Sequence, residues 1–187
     1  MNATIKSLVE RRSIRAYEPE QIKEEELQAM LETGYYAPSS MGKQARHVVV
    51  IQKPEVMEKI TELVKAALIE IHFEKYFKHA HNEKYAVNWD APTFIIVSGD
   101  PEASSLAAGD CGLFLGNFFA AGESLGIGTC WINQLNPVCD VPEVRAYLTE
   151  LGVPTNHQVY GCASVGYPRG IKPQPVPRKE NRVTFVR

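Results

Sequence analysis

The spacing of apolar side chains predicts five helices along the chain. Near the start, Ile5, Leu8 and Val9 fall on one helical face, and Thr4 is expected to cap that helix. Residues 107–119 are apolar on nearly all sides, so their helix is expected to be buried at the centre of the protein. The predicted helices span residues 4–11, 23–36, 54–78, 103–125 and 142–151.

Short apolar runs bounded by turn residues predict the strands. Residues 93–100 form a nearly continuous apolar run, which is typical of a central strand covered on both faces. Residues 182–186 alternate between polar and apolar side chains and predict a terminal strand. The other predicted strands span residues 47–52, 129–133 and 158–167. Helices and strands alternate along the chain, so we expect a sheet wrapped by helices.

The segment before the terminal strand, residues 168–179, is basic and rich in proline. Four prolines fall between Pro168 and Pro177, and prolines at this density stiffen a segment into an extended arm. A compact monomer has little use for a stiff arm that leads to a strand. We therefore expect the C-terminal strand to be exchanged between the two subunits of a homodimer.

The composition limits the classes of function. A length of 187 residues favours a single domain over residues 1–187, with residues 168–187 as its C-terminal arm. The formal net charge is −2, so neither nucleic acid nor an acidic membrane surface is expected as a partner. The N-terminus has no apolar run typical of a signal peptide, and residues 111–125 are too short and interrupted to span a bilayer. A cytoplasmic location is therefore expected.

Several common chemical motifs are absent from the sequence. None of the four cysteines is spaced as CxxC, and most lie in apolar surroundings, so they are predicted to be buried and free. His79 and His81 form an HxH pair, but no carboxylate or cysteine is placed to complete a ligand set, and no metal site is predicted. The glycine spacing of a Rossmann fingerprint or a P-loop does not occur.

Three separated segments carry side chains suited to binding an anion or a polar ring. The first is RRSIRAY, residues 11–17, which contains Arg11, Arg12, Ser13 and Arg15. Guanidinium groups bind phosphate through charge and through paired hydrogen bonds, and a hydroxyl adds a neutral one. A solvated, charged helix end would have the same composition.

The second and third segments are a loop and the basic tail. The loop is APSSMGKQ, residues 37–44, which can offer backbone N–H groups and side-chain donors to the edge of a planar ring, or can be an ordinary turn. The tail, RGIKPQPVPRK, carries Arg178 and Lys179. Cations in this position suit a phosphate site, or serve only solubility.

The order of these segments resembles the nitroreductase family of FMN enzymes. The segments that carry the resemblance are RRSIR, APSSMGKQ, SLGIGTCWI and ASVGYPRGIKPQPVPRK, which together extend over nearly the whole chain. The resemblance implies an α+β fold, a three-layer sandwich whose mixed, mostly antiparallel sheet is wrapped by helices. It also implies an obligate homodimer in which the C-terminal arm embraces the partner, as the tail suggests independently.

The resemblance implies a role for each matching residue. Arg11 and Ser13, with Arg12 beside them, match a phosphate and ribityl site, and Arg15 matches the cation near the flavin N1–C2=O edge. The loop residues that would lie against the flavin from the other subunit are Pro38, Ser39 and Ser40, with Gln44 reaching toward the cofactor. The strand end whose backbone would meet the ring near N5 comprises Cys130, Trp131, Ile132 and Asn133. Arg178 matches the tail cation on the phosphate.

The sequence departs from the family pattern on the substrate side of the loop. Family members often have Asn where this chain has Gly42, and Gln-Pro-Trp where it has Gln44, Ala45 and Arg46. Residues 78–89, which form a lid or an extra helix in longer relatives, are compact here. These departures leave the shape of the substrate pocket open.

The resemblance implies an enzyme in which the flavin performs the chemistry. Electrons would pass from NADH or NADPH to a small oxidised substrate, such as a nitroaromatic or a quinone, in a ping-pong cycle. Arg15 would stabilise the negative charge of the reduced flavin, and no side chain would act as nucleophile or general acid. A non-catalytic FMN reservoir or sensor, or a specialised flavin dehydrogenase or dehalogenase, are the alternatives. The sequence leaves open the electron acceptor and the choice of nicotinamide.

Overall fold

A computed structural model describes residues 1–180 and 182–187, except for the side chain of Phe77. Its helices are α1 (Ala3–Glu10), α2 (Glu24–Tyr35), α3 (Pro54–Glu70), α4 (Phe77–Ala80), α5 (Ala107–Ser124) and α6 (Pro142–Glu150). Its strands are β1 (Arg46–Ile51), β2 (Thr93–Gly99), β3 (Gly128–Ile132) and β4 (Gln158–Gly166). The order predicted from the sequence is confirmed as far as β4, with the short α4 added between α3 and β2.

Three predicted helix boundaries are wrong: α5 begins at Ala107 rather than at residue 103, and the other two differ for local reasons. The cap of α1 is Asn2, whose side-chain oxygen accepts a hydrogen bond of 2.9 Å from the Ile5 amide, and Thr4 lies inside the helix. The long helix predicted to reach residue 78 ends at Glu70. His72 adopts a left-handed conformation with φ of 51°, and the Phe73 amide turns back to bond the Leu68 carbonyl at 3.1 Å.

The four strands form an antiparallel sheet in the order β1-β2-β4-β3. Strand β2 pairs with both β1 and β4, and every one of its residues is buried, which confirms the predicted central strand. Among the described residues, the isolated bridge between Ser13 and Thr129 is the one parallel pairing. The predicted mostly antiparallel sheet is therefore confirmed.

Helices cover both faces of the sheet, which gives the three layers of an α+β sandwich. One face packs against α2 and α5 through a cluster that includes Phe114, Leu115 and Phe118. The other packs against α3 and α6 through a cluster that includes Ile60 and Leu148. No helix in the described part of the chain is both long enough and apolar enough to cross a membrane.

The prediction that α5 is buried all round is wrong for this chain alone. Phe114, Leu115 and Phe118 are fully buried, but Leu113 on the opposite side is 48% exposed. Gly109 and Gly116 lie on the same exposed side. A helix in an outer layer packs against the sheet with only one face. The other face of α5 is apolar in composition but is left exposed at Leu113, Gly109 and Gly116.

The strand at residues 182–186, expected to pair with the sheet of a second subunit, stays a prediction. Within this chain these residues are exposed and have no strand structure. The tail leaves the body where Pro168 bridges to Tyr17 and the Arg169 amide bonds the Ala16 carbonyl at 2.9 Å. An ion pair between Lys172 and Glu123 fixes its first residues to the end of α5.

Candidate functional site

The RRSIRAY segment lies along the edge strand β3. The Ile14 amide donates a hydrogen bond of 3.0 Å to the Thr129 carbonyl, and the buried Tyr17 hydroxyl donates one of 2.6 Å to the Ile14 carbonyl. Burial raises the pKa of Tyr17, which keeps this hydroxyl protonated. A Cβ at position 128 would lie 3.0 Å from Ile14 carbons, so Gly128 permits the close approach. The arginines are thereby held beside the strand.

The arginines of this segment are held without being neutralised. The Arg11 guanidinium lies 5.7 Å from the ring centroid of Phe119, and that of Arg15 lies 5.8 Å from the ring of Trp89. Arg12 donates to the Val9 and Arg11 carbonyls at 2.8 and 2.7 Å, and its buried Nε has no hydrogen-bond partner. In the described part of the chain the ion pairs are Arg145–Asp140 and Lys172–Glu123. Positive charge and donors are therefore available to an anionic group.

The end of β3 brings its predicted site residues next to these arginines. The side chains of Cys130 and Ile132 are buried, so they can contribute only backbone groups to a ligand. Burial raises the pKa of the Cys130 thiol, which makes it a poor nucleophile. Trp131 is 40% exposed and packs against Phe119, with ring centroids 6.4 Å apart. The Asn133 amide donates to the Gln134 side-chain oxygen at 3.1 Å.

The loop of residues 37–44 is pinned by Asp110 at the start of α5. Both carboxylate oxygens of this buried residue accept from the Ser40 amide, at 3.0 and 3.2 Å. The Ser39 hydroxyl accepts from the Gln44 amide at 3.1 Å, so it is used within the loop. The loop closes through left-handed backbone at Met41, Gly42 and Gln44. The exposed residues at its two ends are Pro38 and Gln44.

Arg46 is one of the departures whose effect on the substrate pocket the sequence leaves open. Its guanidinium is buried beneath the loop, where it donates to the Ala37 carbonyl at 3.1 Å and to the Asp110 carbonyl at 3.2 Å. Arg46 and Asp110 therefore build the loop from below, and sequence reasoning missed both. The available signal was an aspartate inside an otherwise apolar helix, because a buried carboxylate needs hydrogen-bond donors.

The two halves of the predicted site are separated within one chain. Arg11 lies over Phe119, whereas the loop is pinned at Asp110, nine residues earlier on α5. At 1.5 Å per residue this separation is about 13 Å along the helix. Arg178 is exposed in the tail, and no contact among the described residues joins it to Arg11 or Ser13. Within the described part of one chain, the arginines therefore lie beside β3, whereas the loop and Arg178 do not contact them.

A cavity of about 950 Å³ lies elsewhere, between α3 and residues 80–92. Its walls include Met57, Thr61 and Tyr85, and it contains none of the predicted flavin-binding residues. Arg11 and Arg15, which form no ion pair among the described residues, lie outside this cavity, as does the end of β3. We therefore place the candidate site at β3.

Comparisons with known proteins agree with the observed fold. The nitroreductase family model matches residues 8–167. A nitroreductase of Bacteroides fragilis solved with bound FMN superposes with a TM-score of 0.95 at 40% identity, with 100% of both chains covered. A nitroreductase of Desulfitobacterium hafniense with bound FMN superposes with a TM-score of 0.86 at 26% identity, also with 100% of both chains covered.

A curated relative supports the same assignment. An FMN reductase [NAD(P)H] of Bacillus subtilis is 36% identical over 136 residues, which cover 69% of this chain and 53% of that protein. The chain thus spans about half the length of this relative. The match over residues 8–167 covers most of the sequence, and the chain belongs to the nitroreductase family.

Proposed function

We propose that this protein is an FMN-dependent oxidoreductase that takes electrons from NADH or NADPH and delivers them to a small oxidised substrate, such as a nitroaromatic or a quinone. The observation that carries the proposal is a pair of guanidinium groups, Arg11 and Arg15, whose charge no ion pair among the described residues neutralises. They lie on either side of Ser13, which bridges to the edge strand β3. Two solved relatives of the same fold carry FMN, which supports the choice of cofactor.

The residues present fit a monophosphate joined to a polar ring. Arg11 and Ser13 would bind the phosphate through charge and a hydroxyl, with the charge of Arg12 beside them. Arg15 would place positive charge at the N1–C2=O edge, and backbone groups at the end of β3 would orient the ring near N5. When bound, FMN supplies the two-electron redox chemistry, which alternates between the nicotinamide and the acceptor. The protein binds and orients the ring and fixes the charge around it.

We also propose that the working unit is a homodimer, in which each chain is one domain with an exchanged arm at residues 168–187. The occupant of the exposed α5 face would be a second copy of this chain. That face carries Leu113, Gly109 and Gly116, and α1 adds the exposed Ile5, Leu8 and Val9. Exposed apolar side chains on two helices that contact each other are typical of an interface. The separate anchoring of the loop at Asp110 and of Arg11 at Phe119 also has an explanation, because the loop of one subunit would complete the site of the other.

Two measurements test the cofactor and the activity together. The purified protein is expected to show the visible absorbance of oxidised flavin, and mass analysis after heat release should identify FMN. Stopped-flow mixing with NADH and NADPH should bleach that absorbance rapidly, and a nitroarene or quinone should restore it. Recovery of FAD would contradict the phosphate assignment. Slow reduction by both nicotinamides would favour a flavin reservoir over an enzyme.

A further inference from the structure

Trp89 lies against the cation that the proposed function assigns to the flavin edge. The Arg15 guanidinium is 5.8 Å from the centroid of the Trp89 ring, within the range of a cation–π contact. We propose that Trp89 is a positioning residue, which fixes the Arg15 guanidinium so that its charge stabilises the reduced form of the bound FMN. This inference rests on the proposed function, because it needs Arg15 at the flavin edge.

The Trp89 ring is braced by two other aromatic side chains. Tyr85 meets it edge-on with ring centroids 5.6 Å apart and planes at 90°, and His79 does so at 6.4 Å and 81°. His79 and Tyr85 also contact each other at 4.7 Å. Edge-to-face packing of this kind restricts the rotation of a ring. The surface presented to Arg15 is therefore rigid.

The backbone that carries Trp89 is held in an uncommon conformation. Trp89 and Asp90 both adopt left-handed backbone, with φ of 54° and 55°. A bulky residue remains there only when its surroundings over-determine it, and such positions cluster at functional sites. Here the buried Asn88 stabilises the turn through two hydrogen bonds. Its side-chain amide donates to the Ala91 carbonyl at 2.8 Å, and its backbone carbonyl accepts from the Ala91 amide at 3.1 Å.

The same turn is packed against the segment that carries Arg15. Ala91 forms a small buried cluster with Ile14 and Tyr17, and Trp89 packs on its rim. Ile14 and Tyr17, one residue before and two residues after Arg15, are thus fixed relative to the tryptophan, which leaves the long Arg15 side chain as the flexible part. The ring contact restricts that side chain where the backbone cannot.

An aromatic partner suits this task better than a carboxylate. A carboxylate would hold the guanidinium but would cancel its charge and use its donors. A ring attracts the cation through its quadrupole, accepts no strong hydrogen bond, and leaves the in-plane N–H donors free for a ligand. Trp89 therefore orients Arg15 and leaves its positive charge and its N–H donors available to the flavin edge.

The test measures the midpoint potential of bound FMN in variants of the full-length protein. Trp89→Leu should lower the potential, with reduced FMN binding two- to tenfold less tightly relative to oxidised FMN, which corresponds to roughly 10–30 mV for a two-electron couple. Trp89→Phe keeps a ring and should restore part of the shift. In an Arg15→Met background, Trp89→Leu should cause no further change.

Fluorinated tryptophan removes the risk that Trp89→Leu fails to fold. Fluorination weakens the ring quadrupole at nearly constant shape, and the chain contains only Trp89 and Trp131. The potential should fall stepwise with the number of fluorine atoms in the wild type. It should not fall in labelled Trp89→Phe protein, in which only Trp131 carries the label. This matched control separates Trp89 from the exposed tryptophan of β3.

The outcomes separate this inference from the proposed function. The positioning role is overturned if fluorination leaves the wild-type potential unchanged, or if Trp89→Leu lowers it equally with and without Arg15. In both cases a flavin-loaded, NAD(P)H-reducible wild type would leave the proposed function intact. A wild-type protein that binds no flavin would instead overturn the proposed function, and the inference with it.

Discussion

Single side chains in this protein keep charge available rather than pairing it. Arg11 and Arg15 rest on aromatic rings, and the described ion pairs use other residues. A guanidinium held on a ring retains its charge and most of its donors. The contribution of each arginine should therefore appear when a ligand arrives, and should be small in the free protein.

The phosphate assignment can be tested with Arg11→Ala and Arg178→Ala. Losing one charge-assisted hydrogen bond should cost about 1.5–3 kcal/mol of FMN binding, so both variants should purify largely colourless but folded. Arg182→Ala, in the same exposed tail, is the control and should keep its flavin. Isothermal titration of the apoproteins with FMN measures the affinities. Stoichiometric flavin in both variants at micromolar protein would refute the assignment.

The role of Arg15 predicts an effect on potential rather than on affinity for oxidised FMN. Arg15→Met removes the charge but keeps much of the apolar volume, so the reduced flavin should lose stabilisation and the two-electron potential should fall. A loss of roughly 1.4 kcal/mol would lower the potential by about 30 mV. Dye-linked equilibrium titration measures it. An unchanged potential would remove Arg15 from the N1 edge.

At the scale of elements, the sequence predicted the type and position of helices and strands, which depend on interactions between residues close in sequence. The apolar run of residues 93–100 identified the central strand β2, and the apolar spacing located α2 to within one residue at each end. Side-chain direction was harder, because it depends on neighbours distant in sequence. The sequence left the direction of Arg46 open, and its guanidinium donates to the Ala37 carbonyl beneath the loop. The apolar face of α5 was expected to be covered by the chain itself.

The anchoring of the loop to α5 gives a prediction at this scale. Asp110→Ala leaves the Ser40 amide without its acceptor, which should cost about 1–3 kcal/mol of stability. Urea unfolding should show a lower midpoint, and hydrogen exchange at Ser40 should accelerate. Glu102→Ala, on the exposed turn before α5, should change neither. Unaltered exchange at Ser40 in Asp110→Ala would show that the loop does not depend on this carboxylate.

At the scale of the whole molecule, several features of the single chain remain unsatisfied until a second copy is considered. The arm beyond Pro168 is exposed, residues 182–186 have no strand structure within the chain, and α5 presents an apolar face. The anchors of the loop and of Arg11, Asp110 and Phe119, lie about 13 Å apart along α5. The sequence predicted an exchanged arm, but it did not predict the exposed face of α5, because the proposed partner of that face is a second copy of the chain. A shared site would link dimer formation to flavin binding.

Two truncations test this linkage. Ending the chain after Gly170 removes the arm and Arg178 together, and should both weaken the dimer and release FMN. Ending it after residue 180 keeps Arg178 but deletes the terminal segment, so dimer stability should fall first and flavin should leave only on dilution. A ligand that contacts both chains stabilises the assembled state by mass action, so added FMN should restore the dimer of the longer truncation. Sedimentation across a concentration series, with flavin absorbance followed in parallel, measures both quantities. A full-length protein that sediments as a flavin-loaded monomer at every concentration would contradict the shared site.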